Sequence, residues 1–214
     1  LIFGSSGLIG GHILKKLIQN KNYNKIKAFV RSDPEINDSK LEIIKTDFNN
    51  LKNYKEEIKG DDCFFCIGTT KQNTPDKNEY RRIEYSIPVE IAEIAKLNSI
   101  NSFIYVSSGF ANPKSSGAYL KNKGEVEEKL ERLNFPKLSI MRPAFLIGNR
   151  KERRIGEKIG LSFFKIISPL FLGSLKKMKP IHSEAVAKVM IKAANEDLEK
   201  TIFESNEIAE LTLD

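Results

Sequence analysis

Four side chains in this sequence have the types and spacing of a proton-transfer site. Tyr119 and Lys123 lie four apart in a helix-forming run, so they share one helix face. Ser107 and Ser108 precede Tyr119 by 12 and 11 residues and close the apolar run Phe103-Ile104-Tyr105-Val106. A tyrosine hydroxyl can give a proton to a carbonyl or take one from an alcohol, but its free pKa of about 10 is high for base work at neutral pH. A nearby ammonium favours the phenolate and lowers that pKa. A serine hydroxyl can hold the reacting oxygen in line. Together these are the parts of a carbonyl-reductase site, with Tyr119, Lys123 and Ser107 or Ser108 as its catalytic candidates. Such a site needs a hydride carrier, and hydride chemistry belongs to a nicotinamide. A Tyr and a Lys four apart also occur as a plain surface pair, so the reading depends on what the rest of the chain supplies.

The chain supplies a dinucleotide motif almost at once. Leu1-Ile2-Phe3 reads as a strand, Gly4-Ser5-Ser6-Gly7-Leu8-Ile9-Gly10 as a glycine turn, and Gly11 to Ile18 as an amphipathic helix. Gly4 suits the tight turn, Gly7 lets a pyrophosphate approach the backbone, and Gly10 lets helix pack on strand. The helix N-terminus offers unpaired N–H groups to phosphate. The spacing is G-x-x-G-x-x-G, which differs from the G-x-G-x-x-G of the standard fingerprint. Its context supports it: Ile26-Lys27-Ala28-Phe29-Val30 is a second strand, completing a strand–helix–strand unit. At the end of that strand an acidic residue would select NAD, whereas an arginine would accept the 2′-phosphate of NADP. Arg31 follows Gly10 by 21 residues, and Ser32 adds a hydroxyl. The expected cofactor is therefore NADP(H), with NAD(H) as the alternative, because Asp33 would repel a 2′-phosphate if it turned inward.

The remaining elements must position these groups. Leu41 to Lys45 reads as a third strand, followed by Thr46-Asp47-Phe48. Asp47 is either a ligand at the carboxyl end of the sheet or the N-cap of a helix from Asn50 to Ile58. A fourth strand runs from Cys63 to Ile67 and ends at Gly68-Thr69-Thr70. A helix from about Glu79 to Asn98 should kink or break at Pro88. The fifth strand is Phe103 to Val106, a helix runs from Ala118 to Leu133, and the sixth strand is Leu138 to Met141, ending at Arg142-Pro143. A last helix spans Ser183 to Asn195. The expected fold class is α/β: a doubly wound parallel sheet of Rossmann type forming a single domain over 1–214, with 145–182 as a small C-terminal substrate-side lobe.

Composition fits such a domain. With 40% hydrophobic and 29% charged residues the chain reads as globular. Its 35 Lys and Arg outnumber 28 Asp and Glu, a net charge of +7 that suits anionic ligands. The lysines are spread along the chain, so a solvated surface is expected and no nucleic-acid partner. Cys63 and Cys66 have C-x-x-C spacing, but residues three apart on a strand face opposite ways, which points to core packing in a reducing compartment. His12 and His182 read as plain helix and capping residues, and there is no metal-ligand cluster. The apolar stretch Leu161 to Leu172 is too short for a membrane span and is interrupted by Lys165 and Pro169. It reads as core or a wall over the site, the alternative being a surface anchor followed by Lys176, Lys177 and Lys179. The chain starts inside a strand without Met, so a few preceding residues are expected. No signal-peptide pattern is visible and there is no transmembrane segment, and a cytoplasmic location is expected.

The motifs together resemble an atypical short-chain dehydrogenase/reductase. More narrowly, the chain is similar to the Tat-interactive-protein-like oxidoreductases, relatives of the NAD-dependent epimerase/dehydratases. The resemblance rests on the glycine turn, Cys66-Ile67-Gly68-Thr69-Thr70, Val106-Ser107-Ser108, Tyr119-Leu120-Lys121-Asn122-Lys123-Gly124-Glu125-Val126-Glu127, Arg142-Pro143 and Arg150-Lys151-Glu152-Arg153. Glu84-Tyr85 stands where relatives often have Asp-Tyr. The resemblance implies that Tyr119 exchanges the proton, that Lys123 binds the nicotinamide ribose and tunes Tyr119, and that Ser107 or Ser108 orients a small-molecule carbonyl or alcohol substrate. It implies that Gly4, Ser6, Gly7, Leu8, Ile9 and Gly10 line the diphosphate, with Arg31 and Ser32 on the 2′-phosphate. Ile67 and Gly68 would border the adenosine side, and Arg142 would lie near cofactor or substrate. Ser32 departs from relatives that carry a second Arg there. A homodimer is compatible with the resemblance. The rival readings are an NADP(H)-sensing regulator without turnover and, below it, a nucleotide-sugar epimerase.

Overall fold

A computed structural model of the chain describes residues 1–34, 36–148 and 178–213. The predicted strands all form. They are β1 (Ile2–Phe3), β2 (Ile26–Val30), β3 (Leu41–Lys45), β4 (Asp62–Phe65), β5 (Ser102–Val106) and β6 (Lys137–Arg142). Three short strands escape the sequence reading: β7 (Phe145–Ile147), β8 (Pro180–His182) and β9 (Ile202–Glu204). The main sheet has seven parallel strands in the order β3-β2-β1-β4-β5-β6-β9, while β7 and β8 pair parallel in a small second sheet. The doubly wound α/β expectation is thus met, with strand order turning outward on both sides of β1.

Both faces of the sheet are buried, and residues alternate between them. Ile2, Ala28, Phe64 and Ile104 point into the layer formed with helices α1 (Leu8–Gln19) and α5 (Ser183–Asn195). Phe3, Phe29, Phe65, Phe103 and Tyr105 point the other way, against α3 (Ile87–Leu97) and α4 (Ala118–Leu133). Phe3 stacks on Phe29 with ring centroids 4.4 Å apart. Continuous apolar strands of this kind belong to a parallel sheet covered on both sides. Cys63 packs on the Phe65 face and Cys66 on the other, as the period of two requires. Burial pushes the Cys63 thiol up to about 12 and that of Cys66 higher still, so both are inert packing groups.

One helix prediction needs correction, and the expected break in another is located. Between Asn50 and Ile58 there is only a 3₁₀ turn, Leu51–Tyr54. Leu51 and Ile58 alone are fully buried there, which is too little apolar surface to hold a helix against the sheet. The helix expected over Glu79–Asn98 is split into α2 (Lys77–Arg81), a π turn (Arg82–Ser86) and α3. Pro88 is the cause. It has no N–H for the carbonyl of Glu84, and its ring crowds that carbonyl. The ladder shifts register, and Ile87 N–H bonds Arg82 O, five residues back. The last helix, α6 (Ser205–Glu210), follows β9 and carries a capping box between Glu204 and Glu207. Of the expected 145–182 lobe, the described part is β7, Gly148 and residues 178–182. Arg150 to Arg153 and Leu161 to Leu172, with Lys176 and Lys177, lie outside the described residues.

Candidate functional site

The glycine turn is built so tightly that Gly4 and Gly10 leave no room for a side chain. Gly4 has φ +89°, and a Cβ there would sit 2.8 Å from the backbone of Cys66 and 2.9 Å from that of Ile67. A Cβ on Gly10 would lie 2.1 Å from Gly4 O, so α1 rests directly on the turn. Gly7 donates its N–H to Gly4 O at 3.0 Å and stands at the N-cap of α1, where no side chain caps the helix. Its orphan N–H groups and positive dipole end face outward beside exposed Ser6 and half-buried Leu8, while Ile9 is buried in the core. Ser5, which the sequence reading passed over, is buried here with an unpartnered hydroxyl. Gly148 also went unnoticed. A Cβ on it would meet Leu8 at 2.7 Å, which brings the β7 loop down onto the turn.

The residues expected to meet the 2′-phosphate lie at the ends of β2 and β3. Arg31, Lys45, Thr46, Asp47 and Tyr54 line a cavity of about 320 Å³. Asp33 does not turn into it as an unpaired charge, because its carboxylate pairs with Lys45 at 2.7 Å. Asp47 is exposed and caps no helix. It accepts from Asn49 N–H at 2.9 Å and from the Asn49 amide at 2.8 Å, and the first of these holds its carboxyl below the usual carboxylate range. Ser32 is exposed beside Arg31.

At the ends of β4 and β5 the groups are buried and paired. Lys123, inside α4, has an almost fully buried ammonium that forms an ion pair with Glu84 at 3.2 Å. It donates to Tyr105 Oη at 3.1 Å and to Val106 O at 3.2 Å. Burial alone would lower the lysine pKa, but the Glu84 carboxylate, with Tyr105 and Tyr119 behind it, carries it well above the ordinary value. The other oxygen of Glu84 accepts from Thr69 N–H at 2.5 Å. Gly68, expected toward the adenosine side, lies against this pair: a Cβ there would be 3.4 Å from Glu84 Oε1 and 3.9 Å from Lys123 Nζ. Ile67 precedes it, half-buried. Tyr119 sits in the first turn of α4, 37% exposed and one turn before Lys123.

The two serines part company. Ser107 donates to Glu127 Oε1. The same carboxylate grips Arg142 through Nε at 2.9 Å and Nη2 at 2.5 Å, and Arg142 reaches Glu204 at 3.3 Å. These carboxylates, Glu127 first, hold the Arg142 guanidinium more firmly protonated than usual. Arg142 and Ser107 thus tie β5, α4, β6 and β9 together. Ser108 is buried, and its hydroxyl makes only a long 3.4 Å contact to Gly109 O. It is the serine with hydrogen-bonding capacity to spare. Gly124 of the Tyr119 segment has a packing reason: its missing Cβ leaves room for Pro113 N, which would otherwise be 2.3 Å away. Glu84, Tyr105 and Glu127 were missed as site residues. The signals available were Glu84 beside Tyr85 and Glu127 at the end of the Tyr119 segment, both in the family pattern.

These residues fit a dinucleotide. The glycine turn and uncapped helix suit a diphosphate, and Arg31 borders a cavity where the 2′-phosphate is expected. Among the described residues no group of side chains could hold a metal ion.

The chain matches the NAD(P)H-binding family model over residues 4–197 and belongs to that family. It is 31% identical to the mitochondrial protein FMP52-1 of Scheffersomyces stipitis, over 98% of this chain and 96% of that one. It is 33% identical to HTATIP2 of Rattus norvegicus, over 76% of this chain and 69% of that protein. The resemblance to Tat-interactive-protein-like oxidoreductases is thereby borne out, as is an NAD(P)(H) cofactor. Among solved structures it is similar in fold to the Bordetella bronchiseptica enzyme WbmH in complex with NAD+, at 17% identity and TM-score 0.72, covering 99% of this chain and 78% of that one. It is likewise similar to a UDP-N-acetylglucosamine 4-epimerase from Methanobrevibacter ruminantium, at 19% identity and TM-score 0.71, covering 94% and 74%. The expected cytoplasmic location is corrected: the FMP52 relatives, in Debaryomyces hansenii and Meyerozyma guilliermondii as well, are named mitochondrial proteins. Packed thiols and the lack of a secretory pattern do not distinguish one reducing compartment from another. Among the described residues no helix is long and apolar enough to cross a membrane.

Proposed function

We propose that the protein is an NADP(H)-dependent oxidoreductase of the short-chain dehydrogenase/reductase type, acting on a small carbonyl or alcohol. The observation that carries this reading is the buried, charged Lys123 one helical turn from half-exposed Tyr119, with Gly68 lying against the Lys123–Glu84 pair. When bound, the nicotinamide supplies or accepts the hydride. The chain does the rest. Tyr119 Oη passes its proton to the substrate oxygen in reduction and takes it back in oxidation. The Lys123 ammonium stabilises the phenolate left behind. Ser108 Oγ donates to the substrate oxygen and orients it, while Ser107 supports the strand end through Glu127. The uncapped N-terminus of α1 meets the diphosphate, and Arg31 and Ser32 meet the 2′-phosphate.

The test is NADPH oxidation across a panel of aldehydes and ketones, with Tyr119→Phe as control. The wild type is expected to turn over at least one of them. Tyr119→Phe should lower kcat by about 10²–10⁴-fold while binding NADPH as before. Turnover untouched by Tyr119→Phe would remove Tyr119 from the mechanism. Tight NADPH binding with no turnover on any carbonyl would replace the enzyme reading with cofactor sensing.

A further inference from the structure

Glu84 is an unusual place for a carboxylate. Its side chain is fully buried in the π turn between α2 and α3, and Oε2 has no hydrogen-bond partner. A buried, unsatisfied carboxylate is costly unless a charge compensates it. The compensating charge is Lys123, the same residue the proposed chemistry depends on. Glu84 lies within the π turn, Arg82–Ser86, just before Pro88. Short π segments of this kind concentrate at functional sites.

We propose that Glu84 is a positioning residue for the reaction: its carboxylate holds the Lys123 ammonium in place beneath Gly68, so that Lys123 meets the cofactor as a charged and oriented group. This rests on the reading of Tyr119 and Lys123 given above. Among the described residues, the groups facing Lys123 are Glu84 on the π turn, Tyr105 on β5, Tyr119 on α4 and the Cys66 thiol beyond β4. Of these only Glu84 is a carboxylate. Tyr105 Oη and Val106 O fix the direction of the ammonium, and they can do so equally for a neutral amine. Glu84 is therefore the carboxylate set against the Lys123 ammonium. Without it, only Tyr105 and Tyr119 oppose the effect of burial, and Lys123 gives up its proton more readily.

The experiment compares wild type with Glu84→Gln, which keeps shape and loses charge, and Glu84→Asp, which keeps charge. Lys123 is followed by NMR of lysine labelled at Cε, its signal assigned by its absence in Lys123→Arg. In wild type and in Glu84→Asp this signal should show no titration between about pH 6 and pH 9, whereas in Glu84→Gln it should titrate within that window. NADPH is titrated into the same proteins. The affinity of Glu84→Gln relative to wild type should fall about tenfold as pH rises through the Lys123 transition. A Lys123 signal that stays protonated in Glu84→Gln overturns the proposal, and so does an affinity ratio that does not change with pH. Should Glu84→Gln fail to fold, Glu84→Gln/Lys123→Met is expected to fold, because the uncompensated ammonium is gone. Failure of that double variant as well would make Glu84 a packing residue and overturn the proposal. If wild type binds no NADPH, it is the oxidoreductase reading that falls, and the lysine signal still decides the part played by Glu84.

Discussion

Two lysine–carboxylate pairs stand at the carboxyl ends of the strands, and they obey different physics. Lys45 and Asp33 meet at 2.7 Å beside the cavity that Arg31 borders, with side chains 64% and 63% exposed. Lys123 and Glu84 meet at the longer distance of 3.2 Å with side chains 5% and 0% exposed. Contact distance would rank the first pair as the stronger. Solvent reverses that ranking. Water and salt screen the outer pair, so it contributes about 0–1 kcal/mol. The inner pair has lost its hydration, so each charge depends on the other, and removing one partner costs about 3–5 kcal/mol. The outer pair stands in water and the inner one holds its charge in the core, where chemistry is proposed.

The sharpest way to break this contrast is to remove the inner carboxylate. Glu84→Ala should lose about 3–5 kcal/mol of unfolding free energy in urea titrations. Its pH dependence should also carry a sign. In wild type the Lys123 pKa is raised, so its stabilising contribution is complete below the ordinary lysine value of about 10.4 and fades only as pH climbs through the higher folded value. Without Glu84 the folded pKa falls below the unfolded one, the unfolded chain binds more protons, and stability should rise with pH between the two. A variant whose stability is flat from neutral to alkaline pH would show that Glu84 was not holding the charge.

The next effect is smaller and sits where the 2′-phosphate is expected. Arg31→Ala should weaken NADPH binding by about ten- to a hundredfold, the range of a charged hydrogen bond, while leaving NADH unaffected. Equal losses for both cofactors would move Arg31 off the 2′-phosphate. The smallest effect belongs to the outer pair. Asp33→Asn should shift stability by no more than about 1 kcal/mol, and added salt should erase the difference. It should also release Lys45 and tighten NADPH slightly. A loss as large as that of Glu84→Ala would erase the distinction between the two pairs.

Local pattern made most of the fold legible. Alternation and apolar runs located six strands, the glycine turn and the Pro88 break. It failed where elements are short or weakly apolar. The three-residue strands β7, β8 and β9 carry no period, and they exist because β6 and one another offer them hydrogen bonds. The segment from Asn50 to Ile58 has helical spacing between Leu51 and Ile58 but too few buried groups between them, and Phe48 just before it turns at φ +62°. At the site, residue types and spacing nominated Tyr119, Lys123 and the serine pair. They could not separate Ser107 from Ser108, because that depends on Glu127 and Arg142 arriving from other elements.

What the sequence determined by itself was therefore the local geometry and the chemical inventory: a glycine turn before a helix, a tyrosine and lysine on one helical face, an arginine at a strand end. Each follows from backbone sterics and side-chain spacing within a few residues. What only the tertiary structure decided was electrostatic. Whether Lys123 is solvated or buried, whether Asp33 repels a phosphate or is neutralised by Lys45, and which serine remains available all depend on groups brought together from distant parts of the chain. The value of a charge is set by the water around it and the countercharge beside it, and packing alone settles both.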